Sequence, residues 1–232
     1  MAVGERTTIV KYLFLDTSQF KVFGQIGDDQ GFQSFFWETR RDLANRITLL
    51  IDEMLEKSGV TFEKVDLLGV CGGPGSLTGL RVGFSFMRSL AHVAEKKLVS
   101  VDLFSWAVRS LLESSKNAGN NNVGAQHFAP LPFIIPAFLD HVFLDVWDPT
   151  VNQEFQAHPR LEKKTELPSE TPGFSIRSET HGFQKLEPSA EALHQIMMET
   201  LATPFDFHDL LLAKPMYVAP SQAELKLEMK SV

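Results

Sequence analysis

Three sets of residues in this 232-residue chain could do chemistry. The first is the run Cys71-Gly72-Gly73-Pro74-Gly75-Ser76-Leu77-Thr78-Gly79-Leu80-Arg81-Val82-Gly83, set between an apolar run and a helical pattern. Glycines at such a junction let backbone amides approach an anion, and a helix N-terminus favours one. The second is Asp16 with Thr17 and Ser18, where an apolar run ends. The third is the histidines: His92, His127, His141, His158, His181, His194 and His208.

Each set is tested by what its chemistry requires. A Walker A loop needs Gly-Lys-Ser/Thr after four intervening residues, and no lysine follows these glycines. A dinucleotide fingerprint comes closer: Gly73, Gly75 and Gly79 give G-x-G-x-x-x-G, and Glu95 lies about twenty residues on. But Pro74 is unusual in that turn, and Glu95 falls inside the following helix. No two histidines are three to five residues apart, so no helix carries a paired metal site. Asp16, at a strand end, reads from the sequence as a turn-capping residue. Ser76 lacks an identifiable base, so it reads as a helix N-cap. Cys71, the one cysteine, reads as a small buried apolar residue and excludes an internal disulfide. No catalytic residue and no metal ligand set is assigned.

Bulk properties bound the function. A formal net charge of -7, with no basic run longer than Lys163-Lys164, argues against a protein that grips nucleic acid alone. No apolar run approaches the roughly 20 residues of a membrane span. Lys11 interrupts the N-terminal apolar run, so no secretory segment is expected. The expectation is a soluble cytoplasmic chain.

The elements that hold these residues read as follows. Strands are expected at 8–15, 20–26, 32–37, 65–70 and 98–101, and helices at 42–57, 76–97 and 104–112, the last capped by Asp102. Residues 114–124 form a polar linker. Strands follow at 133–139 and 142–147, then loops and short edge strands over 149–189. Helices are expected at 190–201, in a second lobe, at 207–213 and at 222–230. No internal repeat is visible. The pattern is an α/β chain of two lobes, 1–113 and 114–232, and the terminal helix could pack back on the first.

The helix after the glycines carries two apolar faces. Leu80, Phe84, Met87, Ala91 and Ala94 make an ordinary core stripe. Val82, Phe86, Leu90 and Val93, with Gly79, make a second. Gly79 and Gly83 would let another helix come close. Either the helix is enclosed within its own lobe or this face meets a partner subunit.

The run "GGPGSLTGLRVG" closely resembles the signature of the TsaB (YeaZ) family, accessory proteins of tRNA threonylcarbamoyladenosine synthesis. "LFLDTS", "RITLLIDEMLEKSGV" and "VSVDLFSWAVRSL" resemble that family's opening strand, first helix and post-signature strand and helix. "PAFLDHVFLDVWD" and "KPMYVAP" are looser matches. The resemblance implies an actin-like (ASKHA) fold of two lobes with mixed sheets. It implies a non-catalytic subunit that binds a TsaD-like catalytic partner and a TsaE-like ATPase and contacts tRNA only indirectly. Alone, such chains form homodimers. The partner surface would be Gly79, Val82, Gly83, Phe86, Leu90 and Val93. Asp16, Thr17, Gly73, Gly75 and Ser76 would form a nucleotide-binding turn, with ATP or ADP and magnesium at the complex interface. The alternative is a stand-alone ASKHA-type nucleotide-binding protein or glycoprotease-like hydrolase.

This chain departs from the family pattern at three places. Cys71-Gly72 stand where the family has Gly-Arg, and Thr39-Arg40-Arg41-Asp42 stand where it has a His-Ser-Glu stretch. In the second-lobe hairpin, where the family carries Asp-Ala-Arg-x-Gly-Glu-Val-Tyr, Asp140-His141 is followed directly by Val142-Phe143, without the glycine and glutamate.

Overall fold

A computed structural model describes residues 11–39, 42–117, 130–137, 141–148, 157–167, 173–178, 180, 182–203 and 213–217. The first sheet has the order β3-β2-β1-β4-β5, built from β1 (Lys11–Asp16), β2 (Lys21–Asp28), β3 (Gly31–Glu38), β4 (Val65–Gly73) and β5 (Lys97–Asp102). β1, β2 and β3 run antiparallel, while β4 and β5 run parallel to β1. β1 is apolar on both faces because both are covered. Leu13 and Leu15 join the cluster under α1 (Leu43–Ser58) and α2 (Leu77–Val93). Tyr12 and Phe14 join a cluster on the other side. β4 repeats the alternation, with Leu68 and Val70 on the first side and Leu67 and Cys71 on the second.

The second side is covered by α3 (Leu103–Asn117) and α4 (Ala190–Leu201). α3 begins where Asp102 Oδ1 accepts from Ser105 N at 2.8 Å, the expected cap. α3 continues to Asn117, so the first residues of the expected linker are helical; residues 118–124 lie outside the described set.

α4 corrects the expected lobe assignment. It lies on the first lobe's sheet. Met197 is fully buried against Gly69, where a Cβ would lie 2.7 Å from Met197 Cε. The Tyr12 hydroxyl lies 2.9 Å from His194 Nδ1, and Gln25 Nε2 donates to Ala190 O at 2.9 Å. Trp106 Nε1 donates to Ser189 O at 2.7 Å, which ties α3 to the start of α4. Residues 213–217 also return to this lobe. Met216 N donates to Gly72 O at 2.7 Å, Arg88 donates to Ala213 O, and Arg81 lies over the Tyr217 ring. The helices expected at 207–213 and 222–230 fall almost wholly outside the described residues; Ala213 itself is not helical.

The second sheet has the order β10-β9-β6-β7-β8, from β6 (Leu131–Pro136), β7 (His141–Trp147), β8 (Arg160–Lys163), β9 (Phe174–Ile176) and β10 (Gln184–Leu186). An antiparallel meander of three is followed by two strands parallel to its first, which is the plan of the first sheet. The fold therefore contains a repeat that the sequence does not display. One core joins the lobes: Phe133, Ile135, Phe143, Trp147 and Ile176 pack with Phe14, Trp106 and Val101.

Candidate functional site

The site grows from the ends of β1 and β4. Asp16 closes β1 and is fully buried. Its Oδ1 accepts from Ser18 N at 2.8 Å, an Asx turn that reverses the chain. β4 ends in Gly72-Gly73, and Gly73 has φ +89°, which a side chain would oppose. The Gly73-Pro74 peptide is cis. Ser76 then caps α2, its hydroxyl accepting from Gly79 N at 3.2 Å.

The two turns lock together. Ser76 N donates to Ser18 O at 2.7 Å, and Thr17 Oγ1 donates to Gly79 O at 2.8 Å. A Cβ on Gly75 would lie 2.5 Å from Ser18 O, one on Gly79 2.0 Å from Thr17 O, and one on Gly83 2.1 Å from Thr17 Oγ1. The structure thus brings together Asp16, Thr17, Gly73, Gly75 and Ser76. It also corrects the reason for two glycines. Gly79 and Gly83 are buried and admit the chain's own Asp16-Thr17-Ser18 turn; they do not open α2 to an outside helix.

The remaining predicted surface residues divide. Val82, Phe86 and Leu90 are half-buried on the cluster shared with α1. Val93 is 82% exposed and Leu49 on α1 is 62% exposed. The core stripe is as expected: Leu80, Phe84, Met87 and Ala91 are buried, and Ala94 is half-buried just past the helix, which ends at Val93 and not near residue 97.

Sequence reasoning missed Arg177. It follows β9 in the second lobe, and its Nη1 donates to Asp16 Oδ2 at 2.5 Å. Its guanidinium lies 5.0 Å from the centre of the Trp106 ring. Burial alone would raise the Asp16 carboxyl; the Arg177 charge and the Ser18 hydrogen bonds outweigh it and hold the carboxyl below its usual range. Cys71 lies beneath, its Sγ 3.8 Å from Ser18 Oγ. Burial, and then the Asp16 charge, push its thiol well up. Native protein is therefore expected to be inert to a thiol reagent such as Ellman's, with one thiol appearing only on unfolding. Rapid labelling of the folded chain would contradict this placement.

Among the described residues no group of three or more His, Cys, Asp or Glu is placed to hold a metal. Nor is any helix there long and apolar enough to cross a membrane.

Two mixed sheets of one plan, flanked by helices and joined across a central core, define an actin-like, ribonuclease H-like α/β protein. The solved structure of YeaZ from Pseudomonas aeruginosa superposes with a TM-score of 0.64 at 16% identity, covering 90% of this chain and all of that one. Residues 38–119 match the family model described as TsaD, tRNA N6-adenosine threonylcarbamoyltransferase. The chain is 39% identical over 62 residues to the tRNA threonylcarbamoyladenosine biosynthesis protein TsaB of Haemophilus influenzae, covering 27% of this chain and 26% of that one. It is 39% identical over 56 residues to the tRNA N6-adenosine threonylcarbamoyltransferase of Clostridium novyi, covering 24% of this chain and 16% of that one. The matched stretches are thus only 26% and 16% of these relatives' own lengths. The chain thus has the fold of YeaZ, and within it lie stretches similar to TsaB and to TsaD proteins, in line with the resemblance read from the sequence.

Proposed function

We propose that this chain is a non-catalytic subunit in tRNA threonylcarbamoyladenosine synthesis, one that docks and activates a TsaD-like catalytic subunit. The observation that carries the reading is the outer surface of α1 and α2. There Leu49 on α1 and Val93 on α2 are exposed, and Val82, Phe86 and Leu90 of α2 are half-buried on the cluster shared with α1, all within the stretch that resembles TsaD. An apolar seam left at the surface between two helices is the kind of patch a partner helix covers. The partner would transfer the threonylcarbamoyl group to N6 of the adenosine next to the anticodon in ANN-decoding tRNAs. A TsaE-like ATPase would join the pair in the cytoplasm, and any ATP or ADP with magnesium would sit at the complex interface. The acidic chain itself would meet tRNA only through its partners. Without a partner, the same seam would pair two copies.

Co-expression with the TsaD-like protein of the same organism, followed by size-exclusion chromatography, tests this. A single heterodimer peak is expected, and two separate monomer peaks would count against it. Leu49→Asp with Val93→Asp places two carboxylates on the exposed part of the seam. The double variant should keep its melting temperature and bind the partner at least about tenfold more weakly, because each charge would be buried unpaired on docking. Unchanged binding would move the interface elsewhere.

A further inference from the structure

Asp16 stands where an actin-like protein would hold a metal-bound nucleotide, but the residues around it do not fit that role. A carboxylate serving a metal-held phosphate needs an oxygen facing an open cleft. Asp16 offers none: it has no exposed surface, Oδ1 is taken by Ser18 N at 2.8 Å and Oδ2 by Arg177 Nη1 at 2.5 Å. The cation that this carboxylate meets is already part of the chain.

Arg177 is held there with unusual firmness. Its backbone φ is +61°, a left-handed conformation that a residue with a Cβ rarely adopts. Such a conformation persists when the surroundings over-determine it. Here Arg177 N donates to Leu186 O at 2.9 Å, the guanidinium rests against Trp106 of α3, and its tip reaches Asp16. Four elements converge on one side chain: β9, β10, α3 and the end of β1. The partners lie 161 positions apart in the chain, Asp16 at the end of β1 in the first sheet and Arg177 just past β9 of the second.

We propose that Arg177 is a built-in cation that occupies the nucleotide position between the two sheets. It latches the second lobe to the first through Asp16, and it leaves the Asp16 carboxylate unable to hold a magnesium nucleotide. The place that catalyses in other proteins of this fold is here a structural joint. This inference does not depend on the docking face of α1 and α2, so the failure of either leaves the other standing.

A double-mutant cycle in the full chain tests the latch. Unfolding by urea would be followed for the wild type, Arg177→Met, Asp16→Asn and the pair. Arg177→Met should lower the folding equilibrium constant by about 100-fold in the wild-type background, and by no more than about fivefold once Asp16 is asparagine. Equal losses in the two backgrounds would overturn the proposal. If the methionine variant does not fold, Arg177→Lys replaces it with the same criterion, since a lysine keeps the charge but not the planar fork. Calorimetry with magnesium ATP supplies the second reading. No heat from the wild type, or heat that survives Asp16→Asn, supports an occupied joint. Micromolar binding abolished by Asp16→Asn would show an open nucleotide site and sink it.

Discussion

Replacing Gly79 by alanine is expected to destabilise this protein more than almost any other one-methyl change. The added Cβ would stand 2.0 Å from Thr17 O and 3.1 Å from Thr17 C. These are backbone atoms, and they cannot swing aside as the end of a flexible side chain can. Thr17 is itself fixed, since its Oγ1 donates to Gly79 O at 2.8 Å and it is 1% exposed. Relief requires α2 to move away from the β1 turn, which breaks that bond and the Ser76-to-Ser18 bond together. Overpacking a tight site costs about 1–3 kcal/mol and occasionally more, and the helix-propensity gain of alanine over glycine recovers only about 1 kcal/mol. A net loss of about 2 kcal/mol, read by urea or thermal unfolding, is the expected result. Gly59 supplies the control of a different kind, since its φ of +67° opposes a side chain but a Cβ there meets nothing within 4 Å. Gly59→Ala should cost about 1 kcal/mol through backbone strain alone.

The second large effect concerns charge. Asp16→Leu would leave the Arg177 guanidinium, whose side chain is 18% exposed, without its carboxylate. Breaking a buried pair by removing one partner costs about 3–5 kcal/mol. Acid should do the same by protonation, and the sign follows from the direction of the shift. The Asp16 carboxyl is held below its ordinary value in the folded chain. Its contribution is therefore complete above about pH 4, the unfolded value, and fades as pH falls through the lower folded value. Asp102 and Asp145 run the other way. Burial raises both carboxyls, so between neutrality and about pH 4 their protonation favours the folded state. Stability should rise slightly on mild acidification and then fall steeply below about pH 4. In Asp16→Leu the steep fall should be shallower, and an unchanged acid limb would show that the Asp16 pair contributes nothing.

How far the sequence carried can be judged from single residues. Periodicity gave the core stripe of α2, because Leu80, Phe84, Met87 and Ala91 face one way whatever they meet. The Ser76 cap and the Asp102 cap were legible because a cap is made within a few residues. The two covered faces of β1 were legible from Tyr12-Leu13-Phe14-Leu15, which carries no polar alternation. What the sequence did not name was the internal neighbour that α4 and the two helical glycines meet. The amphipathic pattern of α4 demands burial but does not name a sheet. Gly79 and Gly83 announce a close approach, and the thing approaching, Thr17, lies 62 positions away. Arg177 was invisible for the same reason: it lies in a stretch read as loops and short edge strands, and its carboxylate is 161 positions distant. Local chemistry shows in a sequence; the identity of a distant neighbour depends on topology. The common plan of the two sheets escaped too, because it lies in strand order and not in any recurring residues.

The return of α4 and residues 213–217 to the first sheet has a consequence for how the molecule is made. When residue 117 has been joined, the first sheet, α1 and α2 are complete in covalent terms, but the face bearing Tyr12, Phe14 and Gly69 lacks Met197 and Leu193. At about 5–20 residues per second, the roughly 100 residues that follow take about 5–20 s to emerge. For that time the nascent lobe holds an aromatic face open. The first sheet is therefore closed only after the strands of the second lobe have been made.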